Sequence, residues 1–287
     1  MCKDSIAAIQ EFICFNQKNT IKYEYIISEK HKILKDYYTE NKQIDLNHLS
    51  KLYDDLIISS YDNLISIFDS NKQLIFNIFK AIGKNRPPRI TIKTIHEDEV
   101  LNIYRSSKYT NFNTSAIKDN TGFSYILLKN KFYYLENDIP GKFISSKYNN
   151  ARLKKSSKDK YKNKELSWSE CWENLDNEPI IEYYSSTLIL PMSIRSDSND
   201  KKDSSFYNHF FKDVKQHKDS RTIWGFLCFD DIEKNYFDKK TDFVAIGYTV
   251  ADILSLYLMY FYNHISGSST IMKIEDELFN FQDTTLK

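Results

Sequence analysis

The sequence predicts an α+β chain in which an N-terminal helical region is followed by an antiparallel sheet flanked by helices. Three observations carry that expectation. Between Ser5 and about Lys84 there is no proline, and no glycine before Gly83, while apolar residues recur three and four positions apart. Arg86-Pro87-Pro88-Arg89 then halts the helical pattern, because tandem prolines force an extended backbone. Beyond them come runs of strand character that lead into a long apolar helix from Phe243 to Tyr262.

In the helical region Leu49, Leu52, Leu56, Leu64, Ile67, Phe68, Ile75 and Ile78 form an apolar stripe interrupted at Ser60 and Asn71. The interruptions favour a helical pair or short bundle over a long regular coiled coil. Asp45 follows the polar Thr39-Glu40-Asn41-Lys42 break and is placed to cap the second helix. The domain boundaries expected are residues 1–85 for the helices, 86–266 for the sheet domain and 267–287 for a polar tail with a short helix from Met272 to Phe281.

Ile90-Thr91-Ile92-Lys93-Thr94-Ile95 alternates as a strand does. His96-Glu97-Asp98-Glu99 reads either as an acidic ion site or as a strand-to-helix turn, and Glu97 to Arg105 as a short helix or a further strand. Gly122 to Leu128 and Lys131 to Leu135 read as a strand pair about a turn at Asn130. Asn149 to Glu165 is a lysine-rich loop, and Trp168 to Glu173 a turn or two of helix. Tyr184 to Ile194 and Ile223 to Phe229 give two more strands, separated by a polar insertion from Arg195 to Ser220 that reads as a long surface hairpin. Phe243, Ile246, Val250, Ile253, Leu254 and Tyr257 mark the face of the last helix that packs on the sheet.

Composition narrows the function classes. Lys plus Arg (40) nearly cancels Asp plus Glu (39), so there is no global attraction to nucleic acid or anionic membrane. Cys2, Cys14, Cys171 and Cys228 are scattered, without a Cys-x-x-Cys pair, which suits a reducing, cytoplasmic setting. Phe243 to Tyr262 is as long as a membrane span, but Asp252 at its middle makes a core helix the expected reading. His31, His48, His96, His209, His217 and His264 approach neither each other nor a cysteine at ligand spacing, so no metal, cofactor or catalytic residue is expected.

The candidate ligand-binding residues are Phe123, Tyr125, Tyr133, Arg152, Trp168, Trp172 and Thr187. Trp168 and Trp172, at i and i+4, either wall a pocket with Phe123, Tyr125 and Tyr133 or anchor a helix in the core. Arg152 opens the basic run with Lys154, Lys155, Lys158, Lys160, Lys162 and Lys164, which is either a lid that neutralises an anion or a solvated loop.

Ser186-Thr187-Leu188-Ile189-Leu190-Pro191-Met192, Ile223-Trp224-Gly225-Phe226-Leu227-Cys228-Phe229-Asp230, Phe237, Asp242 and Ala245 to Leu254 follow one another in an order that resembles the GAF domain family. The resemblance spans about three-fifths of the chain and implies a sensor scaffold able to hold a small molecule or nucleotide. Of the residue set by which members of that family bind cyclic nucleotides, Phe237 and Asp242 fall in the right region. The Asp-Glu pair is absent, since Phe243 follows Asp242, and the several cysteines of the sulfoxide-reducing branch are missing too. The expected function is a non-catalytic sensor that dimerises through its N-terminal helices and signals to a separate effector. The alternative is a scaffold of the same fold without a working pocket.

Overall fold

The structure is a computed structural model of the chain and describes residues 3–40, 45–107, 114–173, 183–195, 221–237 and 242–285. Its main elements begin with helices α1 (Lys3–Glu40) and α2 (Leu46–Ala81), then β1 (Arg89–His96), β2 (Glu99–Arg105), β3 (Thr114–Ala116), α3 (Thr121–Leu127) and β4 (Tyr134–Glu136). They continue with α4 (Ile139–Ile144), α5 (Lys158–Lys162), β5 (Ser186–Arg195), β6 (Arg221–Asp231) and α6 (Phe243–Thr285). Two compact units result, one holding the described residues up to Ile78 and from Ile253 onward, the other those from Phe79 to Asp252. The polar insertion expected from Arg195 to Ser220 lies almost wholly outside the described residues.

The first unit is a helical bundle. Asp45 caps α2 as expected, its Oδ1 accepting from the backbone amides of Asn47 at 3.0 Å and His48 at 3.4 Å. Antiparallel pairing of α1 and α2 sets Asn16 against Asn71, Lys30 against Asp55 and Tyr37 against His48. Leu49, Leu56, Leu64, Phe68, Ile75 and Ile78 are buried along the expected stripe. Ser60 and Asn71 do not break that stripe; both are fully buried within it. Asn71 fits because polar groups meet there, and Ser60 because its side chain is small; its buried Oγ makes no hydrogen bond among the described residues. Asn16 Nδ2 donates to Asn71 Oδ1 at 2.7 Å, the Tyr257 hydroxyl donates to Asn16 Oδ1 at 2.8 Å, and the Tyr23 hydroxyl donates to the Ser60 carbonyl at 3.1 Å. Tyr257 belongs to the later part of α6, whose Leu254, Leu258 and Phe261 complete the buried core of this unit.

The second unit is built on a six-stranded antiparallel sheet in the order β3-β2-β1-β6-β5-β4. Ile90, Ile92, Leu188, Leu190, Leu227 and Phe229 share one face through their register. Phe79 and Phe243 cover that face near Phe229, and Gly247 on α6 lies against Leu190. The compact units divide at Phe79, ahead of the prolines, because this last-turn side chain of α2 packs against Phe229, Tyr236 and Phe243.

Four local expectations change. His96 to Glu99 is a tight β1–β2 hairpin, with Glu97 in the left-handed region (φ 55°), and not the start of a helix. Gly122 to Leu127 is helical, because Phe123, Ile126 and Leu127 bury themselves at three- and four-residue spacing, and β4 pairs with β5 instead. Pro191 lies inside β5 rather than at its end; β4 pairs only with Thr187 to Ile189, so one edge beside the proline carries no ladder. The expected polar tail has helical backbone as far as Thr285. The Phe243–Ile265 stretch of α6 is long and apolar enough to cross a membrane, and half of it is buried in the protein.

Gly225 is the position at which β6 tolerates no side chain. A Cβ there would collide with the carbonyl oxygen of Lys93 on β1, and backbone in a paired strand cannot move aside. Gly225→Ala is expected to cost about 1–3 kcal/mol in urea unfolding, as overpacking does. The same substitution at Gly83, whose surroundings are open but whose φ is 89°, tests backbone strain alone.

Candidate functional site

Alternation along β1 places Arg89, Thr91 and Lys93 on the sheet face opposite to Ile90 and Ile92. Register then extends each into a row. Arg89 lies beside Asp230, which lies beside Thr187; Thr91 lies between Cys228 and Arg105; Lys93 lies between Phe226 and Asn102. In the first row Arg89 Nη2 donates to Asp230 Oδ2 at 3.0 Å and Thr187 Oγ1 donates to Asp230 Oδ1 at 2.7 Å. In the third, the Lys93 ammonium donates to Asn102 Oδ1 and stands 5.7 Å from the centre of the Phe123 ring. Asp231, one residue on, points to the other side and pairs with Arg86.

Helix α3 and the segment from Asn149 to Glu173 roof these rows. Gly122 lets α3 settle on Ile189 and Tyr134, and Phe123 meets Phe226 at 4.7 Å between ring centres. Two short ties pin the lysine-rich segment down: Lys154 N donates to Cys171 O at 2.9 Å and Glu173 N to Arg152 O at 2.8 Å. Leu153 is buried and bridges to Trp172. Tyr184 closes one side, its hydroxyl accepting from Asn150 Nδ2 at 2.9 Å and sharing a bond of 3.0 Å with Tyr148.

Between roof and sheet is a cavity of about 480 Å³. Four of its lining residues are cations, Arg89, Lys93, Arg105 and Arg152, and two are acids, Glu173 and Asp230. Asn102, Asn120 and Asn150 add amides, and Phe123, Trp172 and Tyr184 add aromatic surface. Trp172 is only 1% exposed, and its indole Nε1 has no hydrogen-bond partner among the described residues. Desolvation lowers the Lys93 pKa to about 8, with Arg105 and Arg89 acting in the same direction against Cys228 and Asp230. Burial pushes the Cys228 thiol and the Tyr184 phenol well up, so both stay protonated at neutral pH.

The structure brings Phe123, Arg152 and Trp172 to this cavity. Thr187 does not line it and acts through Asp230. Trp168 stands behind Trp172, edge-on at 5.5 Å, with its Nε1 donating to Tyr184 O at 2.9 Å. Tyr125 and Tyr133 fall elsewhere, in a surface concavity with Lys129, Lys131 and Phe132. The correction follows from helix geometry: positions 123 and 125 share a side of a strand but lie about 200° apart on a helix. Sequence reading missed Arg89, Lys93, Asn102, Arg105 and Asp230. Their signal was present in the polar alternation of β1, but such alternation ordinarily marks a solvent face.

No family model matches the chain, and no curated protein matches it. Among solved structures it is similar to a type II free methionine-R-sulfoxide reductase from Thermoplasma acidophilum, at 13% identity and a TM-score of 0.39, over 70% of this chain and 96% of that one. A far-red cyanobacteriochrome photoreceptor matches at 9% identity and 0.38, over 69% and 87%. A free methionine-R-sulfoxide reductase from Neisseria meningitidis, in complex with its substrate, matches at 9% and 0.33, over 78% and 95%. Likenesses this low transfer no activity to the chain.

The lowered Lys93 pKa sets a pH dependence. Between about 8 and the ordinary 10.5, the folded chain holds fewer protons at Lys93 than the unfolded chain does, so folding stability gains with rising pH. Below about 8 the penalty for the buried ammonium is fully present. Urea melts from pH 7.5 to 9.5 should show this gain, and Lys93→Met should flatten it relative to the parent protein.

Proposed function

We propose that this chain is a non-catalytic, cytoplasmic sensor of GAF-like architecture that binds a small molecule and signals to a separate partner protein. The observation that carries the reading is the cavity of about 480 Å³ between α3 and the sheet, of the size and mixed lining that suit a small-molecule site. Strand register holds its polar groups in place, whereas a scaffold that had lost its pocket would fill the space with side chains. Phe123 and Trp172, bulky enough to do so, stand at the wall instead. The protonated, buried Cys228 thiol supports a binding role over thiol chemistry.

On this reading the N-terminal helices mediate a homodimer and relay the signal. Their main apolar stripe is already buried within the bundle, so a dimer would use the exposed Ile21, Tyr25 and Ile33 of α1 and Ile58 of α2. Helix α6 contributes residues to both compact units and supplies the covalent connection through which occupancy of the pocket would reach the bundle.

Native mass spectrometry of the freshly purified chain is expected to show a dimer carrying an additional small mass. Phe123→Trp, which narrows the cavity, should reduce retention of that mass at least ten-fold while leaving the dimer intact. A ligand-free monomer that no compound in a metabolite library stabilises against heat would instead favour the scaffold.

A further inference from the structure

We infer that the edge of β4 is a docking surface for an extended, acidic segment of a partner protein that carries large apolar side chains; this holds whether or not the cavity between α3 and the sheet is a ligand site. The surface is the concavity that holds Tyr125 and Tyr133, of about 610 Å³. Tyr134, Leu135 and Glu136 all line it, although successive residues of a strand point to opposite faces of the sheet. The concavity therefore follows the outer edge of β4 rather than one face. β4 is the last strand of the sheet, and among the described residues no other strand pairs with that edge. An unpaired edge is a template for an added strand.

Charge and exposure define the segment that fits. Glu136 is the one carboxylate among the described lining residues, and it is engaged within the protein. Its Oε1 accepts from the amides of Asn137 and Asp138 at 3.1 and 3.0 Å, and its Oε2 lies 3.8 Å from the Lys142 ammonium. Lys129, Lys131 and Lys147 are exposed and have no ion pair among the described residues. Lysines on an edge keep it from pairing with a second copy of the chain, since two such edges repel. They do not account for the apolar groups beside them. Of the four large apolar side chains exposed among the described residues of the sheet unit, three lie in this stretch: Leu128 at 54%, Phe132 at 55% and Tyr133 at 39%. Clustered exposed apolar groups mark contact sites, whereas scattered ones are ordinary. An acidic segment with apolar residues complements both the lysines and the rings. A bilayer surface, which presents no backbone, would leave the strand edge unpaired.

The test is selection from a random peptide library displayed on phage, with the full chain as bait. Enriched peptides are expected to combine Asp or Glu with Phe, Leu or Tyr. The strongest of them is then synthesised with a fluorescent label and titrated by anisotropy. Lys131→Glu, Lys147→Glu and Phe132→Ser, each checked for a cooperative melt, should separately weaken its binding by about ten-fold. Replacing the acids of the peptide by lysine should abolish binding to the parent protein and restore it on the double variant Lys131→Glu, Lys147→Glu. An added strand turns alternate amides toward its neighbour, so N-methylation of one alternate set should abolish binding and of the other set should not. No enrichment, enriched peptides without acids, affinity unchanged in the lysine variants, or equal tolerance of methylation at both sets would overturn the inference. Binding of the full chain to phosphatidylserine vesicles with no peptide enriched would overturn it in favour of a membrane. The native mass spectrum tests the cavity separately from all of these outcomes.

Discussion

The register of β6 is the constraint on which the sheet unit depends. β6 is paired on both sides, to β1 and to β5, so a slip of one residue would turn Cys228 and Asp230 to the apolar face and Leu227 and Phe229 to the polar one. Two local features hold it. Gly225 allows the β1 backbone to approach at one point only, and the Arg89–Asp230–Thr187 row bonds three strands at another. The apolar face packs against the start of α6 and the end of α2, and the polar face becomes the floor of the cavity.

Both units contain buried polar groups that are joined to one another. In the bundle, Asn16, Asn71 and Tyr257 satisfy one another between helices that are otherwise apolar at that level. In the sheet unit Asp230 accepts from two neighbours. A group of this kind contributes little net free energy while satisfied and costs much more when a partner is lost. Such groups therefore fix alignment rather than add bulk stability. In the bundle the alignment fixed is axial, since sliding one helix by a turn would strand an amide among leucines and phenylalanines.

The sequence was legible wherever one periodicity ran long enough. The helical region, the strand after the prolines, the Asp45 cap and the last helix each had such a signal, and the α+β class followed. It was misleading where a short segment satisfied two periods. Gly122 to Leu127 is rich in residues that favour strands, yet its buried positions follow helical spacing, and that one substitution of element moved Tyr125 and Tyr133 away from Phe123. Asn71 misled for another reason: a polar residue reads as a break until the partner that satisfies it is known, and Asn16 lies 55 positions from Asn71. The cavity's cations were hidden in the same way. Arg89 and Lys93 look like the wet side of an amphipathic strand, and only the roof contributed by residues 120 to 173 makes that side an interior.

Lys93 gives the cavity a further property. A lysine that gives up its proton near pH 8 is only partly charged in mildly alkaline solution, and an anion settling beside it restores the charge by drawing a proton from the medium. Above about pH 8, occupancy would then follow the product of anion concentration and proton activity, not the anion alone. At constant ligand supply, occupancy would fall as pH rises through about 8 and beyond.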